Sequence, residues 1–363
     1  MLIPPAIALG VELRVLAEQE GMSARLASTN IGDYRDERVV LDFARGVDVV
    51  TFDHEHVPQA VLKALVAESI AVRPGPEALQ FAQDKLLMRQ RLSELGSPTP
   101  EWAAVSDKRE LEQFINSNGG VAVVKTVRGG YDGKGVRVVR SSSQVEDWFD
   151  ALDEDGHGGV LLAEEFVDFK RELAQSIARR PSGETATWPV VESIQKDGVC
   201  AEVIAPAPNQ VPRLAEVASE IATSIAEGLG VTGVLAVEMF ETTDERILVN
   251  ELAMRPHNSG HWSIEGSTTS QFEQHLRAVL DLPLGPTGTR SPWTVMVNVF
   301  GGATSRPLEQ SYRAVLQEFP FAKLHNYGKP PRPGRKVGHV TVCGDDLDDV
   351  TFDARAAAAA LSS

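Results

Sequence analysis

Apolar or alternating runs and amphipathic segments follow one another over the first 74 residues of the chain. Their spacing predicts, in order, strand Val11–Leu16, helix Asp36–Ala44, strand Val47–Phe52, helix Val57–Glu68 and strand Ile70–Val72. Strands that alternate with helices are typical of a parallel, Rossmann-like sheet, because a parallel pair needs a crossover connection. A βαβ unit opens with a strand and a tight turn, whereas this chain starts with a helical pattern. We therefore expect that first strand to be missing or its place to be filled by another segment.

Two breaks in the pattern divide the rest of the chain. Glu77–Leu95 predicts one uninterrupted helix, which ends at the helix-breaking run Gly96–Pro100, and we place the first boundary after residue 98. A Pro- and Gly-rich stretch over residues 282–292 marks the second boundary. The pattern between and after these boundaries predicts strands Val121–Val127, Val136–Arg140, Val160–Phe166, Glu172–Ala178 and Thr187–Glu192, helix Arg213–Leu229, hairpin strands Val234–Phe240 and Arg246–Leu252, tail strands Trp293–Phe300 and Arg335–Val342, and an Ala-rich final helix.

Composition narrows the class of protein. Hydrophobic residues make up 42% of the 363 residues and charged residues 24%, which is the balance of a globular protein. The net charge of −16 argues against a general binder of nucleic acid or of anionic membranes, both of which need a basic face. No apolar stretch reaches the ~20 residues of a membrane span. Cys200 and Cys343 are too few for a disulfide framework, and we expect two thiols in a reducing cytoplasm.

A glycine-rich loop, G-G-Y-D-G-K-G at residues 129–135, joins two predicted strands. Four glycines in seven residues let backbone N–H groups turn toward one anion, and Lys125 on the incoming strand has the reach to contact a phosphate. The spacing is not that of a Walker A loop, and a strand follows where that motif needs a helix. We favour a flap that closes over phosphates. A tight surface hairpin with an exposed lysine is the alternative.

The second candidate site is a predicted hairpin that carries Glu238, Asn250 and Glu251. With the turn centred on residues 243–244, Glu238 lies opposite Val249 and has Glu251 as its diagonal neighbour. Two carboxylates in otherwise apolar strands indicate a cation between them, and Mg²⁺ prefers oxygen ligands. The alternative is a pair of carboxylates on the solvent face of the sheet.

A polar loop, R-P-H-N-S-G-H-W at residues 255–262, follows the second carboxylate strand. Arginine suits carboxylate and phosphate groups, and this density of donors favours a substrate loop over structural residues. Three signals are weaker. Glu164–Val167 is either an adenine contact or a simple strand end, and Arg335-Lys336 is either an anion contact or solvated charge. The run Asp53–His56 splits its side chains between two faces, which disfavours a metal site.

Taken together, these segments resemble the ATP-grasp enzymes, and more closely the 5-(carboxyamino)imidazole ribonucleotide synthases of purine biosynthesis. K-T-x-R-G-G-Y-D-G-K-G at Lys125–Gly135 is similar to that family's phosphate flap, and N-E-x-x-x-R-x-H-N-S-G-H-W at Asn250–Trp262 to its metal and substrate segment. S-Q-F-E-Q-H-L-R-A at Ser270–Ala278 and R-P-G-R-K-x-G-H at Arg332–His339 also match, so that the resemblance covers residues 1–345.

The resemblance implies an α/β protein with an ATP-grasp fold, α+β in its ATP-grasp part. Its expected parts are an N-terminal Rossmann-like domain (1–98), a small ATP-grasp lid subdomain (99–167), a large ATP-grasp subdomain with the Mg²⁺ and substrate sites (168–284) and a C-terminal domain (285–363). The family also implies a homodimer.

The same resemblance implies three sets of site residues. ATP contacts are expected from Lys85, Lys125, Gly130, Tyr131, Asp132, Gly133, Lys134, Gly135, Glu164, Glu165, Phe166, Val167, Glu172, Gln195, Asn250 and Glu251. Glu238 and Glu251 are expected to hold Mg²⁺, with Mn²⁺ as an alternative. Bicarbonate and aminoimidazole ribonucleotide are expected to face Tyr131, Arg255, His257, Asn258, Ser259, Arg335 and Lys336, with catalytic roles for Arg255, His257 and Lys336.

Two departures from the family bear on these expectations. The family opens with a strand and a G-G-G-Q-L-G-R turn, and this chain begins just after the place where that turn ends, so we expect weaker binding of the ribonucleotide. Gln195 stands where the family commonly has a nucleotide-contacting histidine; it still donates a hydrogen bond but does not titrate near neutrality.

The expected reaction is ATP-driven carboxylation of the exocyclic amine of aminoimidazole ribonucleotide through carboxyphosphate, with the amine taking the carbon either from carboxyphosphate itself or from CO₂ released in the site. Two other functions stay open from the sequence alone. One is a different ATP-grasp ligase, such as a formate-dependent purine transformylase, and the other is a catalytically impaired nucleotide-binding homologue.

Overall fold

The computed structural model describes residues 1–130, 135–152, 159–209, 212–302 and 307–362. Within these ranges the strands form three sheets, of two, four and nine strands. None of the helices in these ranges has the length and apolar character that crossing a membrane requires.

The N-terminal region has a parallel pair of short strands surrounded by helices. Its elements are α1 Ile3–Leu9, β1 Val15–Ala17, β2 Ser28–Ile31, α2 Glu37–Ala44, α3 Gln59–Ala67, α4 Pro76–Gln83 and α5 Lys85–Glu94. β1 and β2 pair in parallel, and among the described residues no helix lies between them. β2 was not predicted, because its sequence S-T-N-I lacks the apolar alternation of a half-buried strand. Two of the predicted strands contribute only a single parallel bridge, from Val50 to Val72.

The single helix predicted over Glu77–Leu95 is wrong, because the chain breaks at Asp84. The backbone of Asp84 is extended (φ −134°, ψ 108°), and its carboxylate accepts hydrogen bonds from the N–H groups of Leu86 (3.1 Å) and Leu87 (3.0 Å). An aspartate that caps a helix in this way satisfies donors that have no partner in the first turn. The break makes Lys85 the first residue of α5, where its N–H donates to the carbonyl of Val127 at 2.9 Å.

The four-stranded sheet is antiparallel and has the order β3-β6-β4-β5. Its elements are β3 Trp102–Val105, α6 Lys108–Ser117, β4 Ala122–Thr126, β5 Val136–Val139, α7 Glu146–Ala151 and β6 Leu161–Glu165. Leu111 and Ile115 of α6 are buried against Val124 and Ala163 of the sheet. The three strands predicted here are confirmed within two residues at each end.

The nine-stranded sheet has the order β12-β11-β7-β9-β10-β13-β15-β14, with β8 paired to β7. Its strands are β7 Phe169–Arg179, β8 Thr185–Thr187, β9 Val191–Lys196, β10 Val199–Ala205, β11 Gly233–Thr242, β12 Ile247–Ala253, β13 Trp293–Phe300, β14 Lys323–Asn326 and β15 Lys336–Gly344. The accompanying helices are α8 Pro212–Gly228, α9 Ser263–Gly266, α10 Gln271–Val279, α11 Tyr312–Glu318 and α12 Leu347–Ser362. Because β13 pairs with β10, this sheet continues across the boundary expected at residue 284, between the large ATP-grasp subdomain and the C-terminal domain.

The hairpin β11–β12 has a register that differs from the predicted one. Glu238 pairs with Glu251, and Met239 pairs with Val249, so Asn250 is an extra residue between them. The pairing of Glu241 with Ile247 centres the turn on Asp244, which shifts the register by one residue from the predicted one, and the β-bulge shifts it by one more. Together these shifts turn the predicted diagonal pair of carboxylates into a directly opposed pair. The prediction that Glu238 faces Val249 is wrong because it placed the turn at residues 243–244 and because a strict period of two has no place for an extra residue.

Candidate active site

The two predicted phosphate lysines both point toward the carboxylate hairpin. Lys125 of β4 has its Nζ atom 2.7 Å from Oε2 of Glu164 and donates to Oδ1 of Asn250 at 3.1 Å. Lys85 has its Nζ atom 4.0 Å from Oε1 of Glu251 and 3.5 Å from the carbonyl oxygen of Gly130. The end of the glycine-rich loop, the first turn of α5 and the bulge of β12 therefore meet at one place.

The glycine-rich loop needs glycine at its described end. Gly135 has φ +72°, and a Cβ atom there would lie 2.5 Å from Oγ1 of Thr126. The N–H of Thr126 donates to the carbonyl of Gly135 at 2.9 Å, which holds the loop close to β4. The predicted contacts Tyr131, Asp132, Gly133 and Lys134 lie outside the described residues.

Negative charge is concentrated between β7, β11 and β12. Burial, followed by the charges of Glu251 and Glu172, raises the pKa of Glu238 to about 8. Burial also raises the pKa of Glu172 to about 7, against the opposing effect of a hydrogen bond with Gln195. Oε2 of Glu172 is buried and has no hydrogen-bond partner among the described residues. Carboxylates that repel one another in a partly buried place are suited to a bound cation.

A Mg²⁺ ion fits this donor set better than a transition metal does. Mg²⁺ typically takes one or two carboxylates from the protein and completes its shell with phosphate oxygens and water. Among the described residues, no group of three or more His, Cys, Asp or Glu side chains is arranged to hold a metal ion alone. Glu238 and Glu251 would thus supply the protein's share of the ligands.

The predicted substrate loop lies beside the carboxylates. His257 has Nε2 3.8 Å from Oε1 of Glu238 and Nδ1 2.9 Å from Oγ of Ser259. Burial, then the charges of Arg255 and Lys336, lower the pKa of His257 to about 3. At neutral pH this imidazole is therefore uncharged and acts as a hydrogen-bonding group.

Arg255 is oriented from the N-terminal region. Its Nε atom donates to Oε2 of Glu55 at 2.9 Å, and both side chains are largely buried. Glu55 belongs to the run Asp53–His56, which the sequence offered as a weak metal candidate. Its carboxylate instead forms an ion pair with the substrate loop.

The rest of the loop is anchored to the large sheet. Asn258 and Asn298 of β13 exchange amide hydrogen bonds (3.1 and 2.6 Å), and Asn298 also donates to the carbonyl of Cys200 at 2.9 Å. Gln271 of α10 donates to the carbonyl of His257 at 2.7 Å and accepts from its N–H at 2.9 Å. The amide of Asn258 therefore already has a protein partner.

The two basic residues at the start of β15, Arg335 and Lys336, have different surroundings. The charge of Lys336 acts on both Glu238 and His257, so this lysine belongs to the site. Arg335 donates to the carbonyl of Pro330 at 3.4 Å, within its own loop.

The segment Glu164–Val167 connects the two larger sheets, because β6 ends at Glu165 and β7 begins at Phe169. The N–H of Glu165 donates to the carbonyl of Glu101 at 2.8 Å, and Phe166 is 50% exposed. Burial raises the pKa of Glu164, but the charges and hydrogen bonds of Lys125 and Arg89 outweigh it and lower the pKa to about 2.

Several residues of the site were not found from the sequence. They are Glu55, Arg89, Gln271 and Asn298. Arg89 had one usable signal, since it lies four residues after Lys85 and on the same face of a helix. The other three have their partners 200, 14 and 40 residues away along the chain, and no local pattern predicts such contacts.

Family models match three parts of the chain. A ribonucleotide synthetase preATP-grasp domain matches residues 1–83, an ATP-grasp domain matches 90–272, and a phosphoribosylaminoimidazole carboxylase C-terminal domain matches 294–352. The N5-carboxyaminoimidazole ribonucleotide synthase of Mycobacterium tuberculosis is 49% identical over 361 residues, which cover 98% of this chain and 84% of that protein. The Bacillus subtilis protein of the same name is 37% identical over 317 residues, covering 87% and 80%.

Solved structures are similar over the same length. N5-carboxyaminoimidazole ribonucleotide synthetase from Thermus thermophilus has a TM-score of 0.86 at 37% identity and covers 100% of this chain and 94% of that one. N5-carboxyaminoimidazole synthase from Aspergillus clavatus, in complex with ADP and 5-aminoimidazole ribonucleotide, has a TM-score of 0.88 at 30% identity and covers 99% and 95%. The ATP-grasp fold expected from the sequence is confirmed.

Proposed function

The chain belongs to the N5-carboxyaminoimidazole ribonucleotide synthase family, and from that premise we propose what each part of its site does. Members of this family are ATP-dependent ligases of purine biosynthesis, and the activity of this chain is the carboxylation of aminoimidazole ribonucleotide on its exocyclic amine.

ATP lies between the two larger sheets in this proposal. Lys85 and Lys125 contact its phosphates, because their ammonium groups converge on the bulge of β12. The loop from Gly130 to Gly135 closes over the phosphates and excludes water. The remaining ATP contacts are Glu164, Glu165, Phe166 and Val167, which offer backbone groups to the adenine, Glu172 at the ribose, and Gln195, Asn250 and Glu251.

Mg²⁺ is held by Glu238 and Glu251 together with phosphate oxygens, and Mn²⁺ is an alternative because it accepts the same oxygen ligands. When bound, the ion neutralises charge on the transferring phosphoryl group. The support from this chain is the directly opposed pair of carboxylates, one of which has a strongly raised pKa.

Bicarbonate and aminoimidazole ribonucleotide bind beside the γ-phosphate. A bicarbonate oxygen attacks the γ-phosphorus, the bond to the leaving oxygen of ADP breaks, and carboxyphosphate forms. The amine nitrogen then bonds to the carboxyl carbon, the carbon–oxygen bond to phosphate breaks, and the amine loses a proton. Arg255 and Lys336 supply positive charge to these anions, and neutral His257 supplies a hydrogen bond. Asn258, Ser259, Tyr131 and Arg335 complete the proposed substrate contacts.

We also propose the domain division given by the sequence, with the last two parts sharing one sheet. The two free cysteines suit a reducing cytoplasm. A homodimer rests on the family resemblance alone.

The observation that carries this proposal is the convergence of Lys85, Lys125 and the opposed pair Glu238–Glu251. The test is ADP release by the purified chain with Mg²⁺ and each combination of substrates. We expect release only when bicarbonate and aminoimidazole ribonucleotide are both present. Release that needs formate would indicate a transformylase-type ligase, and ATP binding without release would indicate an impaired homologue.

A further inference from the structure

Arg89 is a fully buried charge in the middle of α5, with 0% of its side chain exposed. Its Nε atom donates to Oε1 of Glu164 at 2.5 Å. Its two terminal nitrogens donate to the carbonyl oxygens of Val249, at 3.1 Å, and Asn250, at 2.7 Å. One guanidinium therefore joins a strand of the four-stranded sheet to the bulge in the nine-stranded sheet.

These contacts close a ring. Glu164 uses its second oxygen to bind Nζ of Lys125 at 2.7 Å, and Lys125 donates to Oδ1 of Asn250 at 3.1 Å. The backbone carbonyl of Asn250 accepts a hydrogen bond from Arg89 and so completes the ring. The four members come from α5, β6, β4 and β12, and the ring lies directly next to Glu251.

The charges in the ring decide what Lys125 can do. With Arg89 present, the two cations exceed the single carboxylate of Glu164 by one positive charge. Without Arg89, Lys125 is the one remaining cation in the ring. The buried carboxylate of Glu164 would then neutralise the positive charge of Lys125. The two carbonyls at the bulge would lose their donors as well.

We propose that Arg89 is a positioning residue for the ATP-dependent reaction, because it neutralises Glu164 and fixes the bulge, and so leaves the charge of Lys125 available to an ATP phosphate. This inference rests on the proposed function, which places the phosphates at Lys125. Arg89 itself does not touch ATP.

A purely structural brace is the competing explanation, and the neighbouring Arg91 provides a matched control. Arg91 lies on the same helix and also binds a carbonyl and a carboxylate, those of Gly228 (3.0 Å) and Glu94 (2.8 Å), away from the ring. Loss of either arginine weakens helix contacts, but only loss of Arg89 changes the charge balance at Lys125.

The experiment compares wild type, Arg89→Met, Arg91→Met, Arg89→Lys and the double variant Arg89→Met/Glu164→Gln. The dissociation constant for ATP is measured by calorimetry, and kcat, KM and Tm are measured alongside. We expect Arg89→Met to weaken ATP binding by about 10- to 100-fold and Arg91→Met to leave it within about twofold. We expect Arg89→Lys to lie between, because one ammonium group cannot reach all three acceptors at once.

The double variant separates charge balance from bracing. Once Glu164 is neutral it no longer competes for Lys125, so ATP binding should recover at least about fivefold over Arg89→Met although no contact of Arg89 is restored. If Arg89→Met does not fold, Arg89→Gln, which keeps hydrogen-bond donors but carries no charge, gives the same comparison with and without Glu164→Gln. ATP affinity near that of wild type in a folded variant with a neutral residue at position 89, or no recovery in the double variant, overturns the inference. Failure of wild type itself to bind ATP would refute the proposed function instead.

Discussion

Glu251→Gln tests the opposed carboxylates directly, because it removes one charge and hardly changes the size of the side chain. Glu251 faces Glu238 across the hairpin and contributes to its raised pKa. We expect the substitution to lower turnover at least ~100-fold at saturating Mg²⁺, since charge stabilisation at the phosphoryl group is lost.

The expected effect on stability has the opposite sign to that of most substitutions in a site. The difference between 4.5, the ordinary pKa of a glutamate, and about 8 corresponds to a ceiling of ~5 kcal/mol at ~1.4 kcal/mol per pKa unit. Burial is the largest cause, so the share that Glu251 contributes is ~1–2 kcal/mol. In a chain of 363 residues, its removal should raise Tm by ~1–3 °C.

The rise in Tm should depend on pH. The folded-state pKa of Glu238 lies above its unfolded value, so its contribution to stability is lost as the pH rises through about 8. Near ~pH 5 the folded protein already holds Glu238 protonated, and Glu251→Gln should then leave Tm unchanged. Near ~pH 9 the stabilisation should be complete. Scanning calorimetry without Mg²⁺ at both values measures the difference.

Glu245→Gln is the control, because Glu245 is exposed in the turn of the same hairpin. The Glu245→Gln variant should have the turnover and the Tm of the wild type. Near-normal turnover of Glu251→Gln at saturating Mg²⁺ would remove the metal assignment. A Tm lowered by several degrees near ~pH 9 would refute the argument from repulsion.

Two further substitutions test the loop and the substrate side. Gly135→Ala should raise the KM for ATP about tenfold and lower Tm by no more than ~5 °C, because a Cβ atom would lie 2.5 Å from Oγ1 of Thr126 in a backbone with φ +72°, a local strain that the rest of the fold does not share. Gly183→Ala, in a turn where nothing lies within 4 Å, is its control, and equal ATP kinetics in both variants would contradict the predicted flap. Glu55→Gln should raise the KM for aminoimidazole ribonucleotide about tenfold and leave that for ATP within about twofold, because it frees Arg255. A larger rise for ATP would mean that Arg255 serves the nucleotide.

The sequence predicted the individual strands and helices of this site better than it predicted how they contact one another. The strands around the glycine-rich loop and the hairpin of Glu238 have clear periods, and the structure confirms them. The helix break at Asp84 was missed although aspartate is a common cap, because no glycine or proline interrupts the sequence from Glu77 to Leu95. The bulge at Asn250 leaves no trace in a period of two, and together with the shifted turn it places the two carboxylates opposite each other.

Glu164 and Glu238 show why the roles of the site residues could not be assigned from the sequence alone. Both are glutamates on apolar strands, and both are largely enclosed, so their sequence surroundings do not distinguish them. The pKa of Glu164 falls to about 2 because Arg89 and Lys125, cations of the chain itself, outweigh its burial. The pKa of Glu238 rises to about 8 because burial is reinforced by Glu251 and Glu172. The opposite pKa shifts of these two carboxylates separate their roles. Glu164 is compensated within the protein and serves to hold Lys125, whereas Glu238 is left to be compensated by a cation from solution.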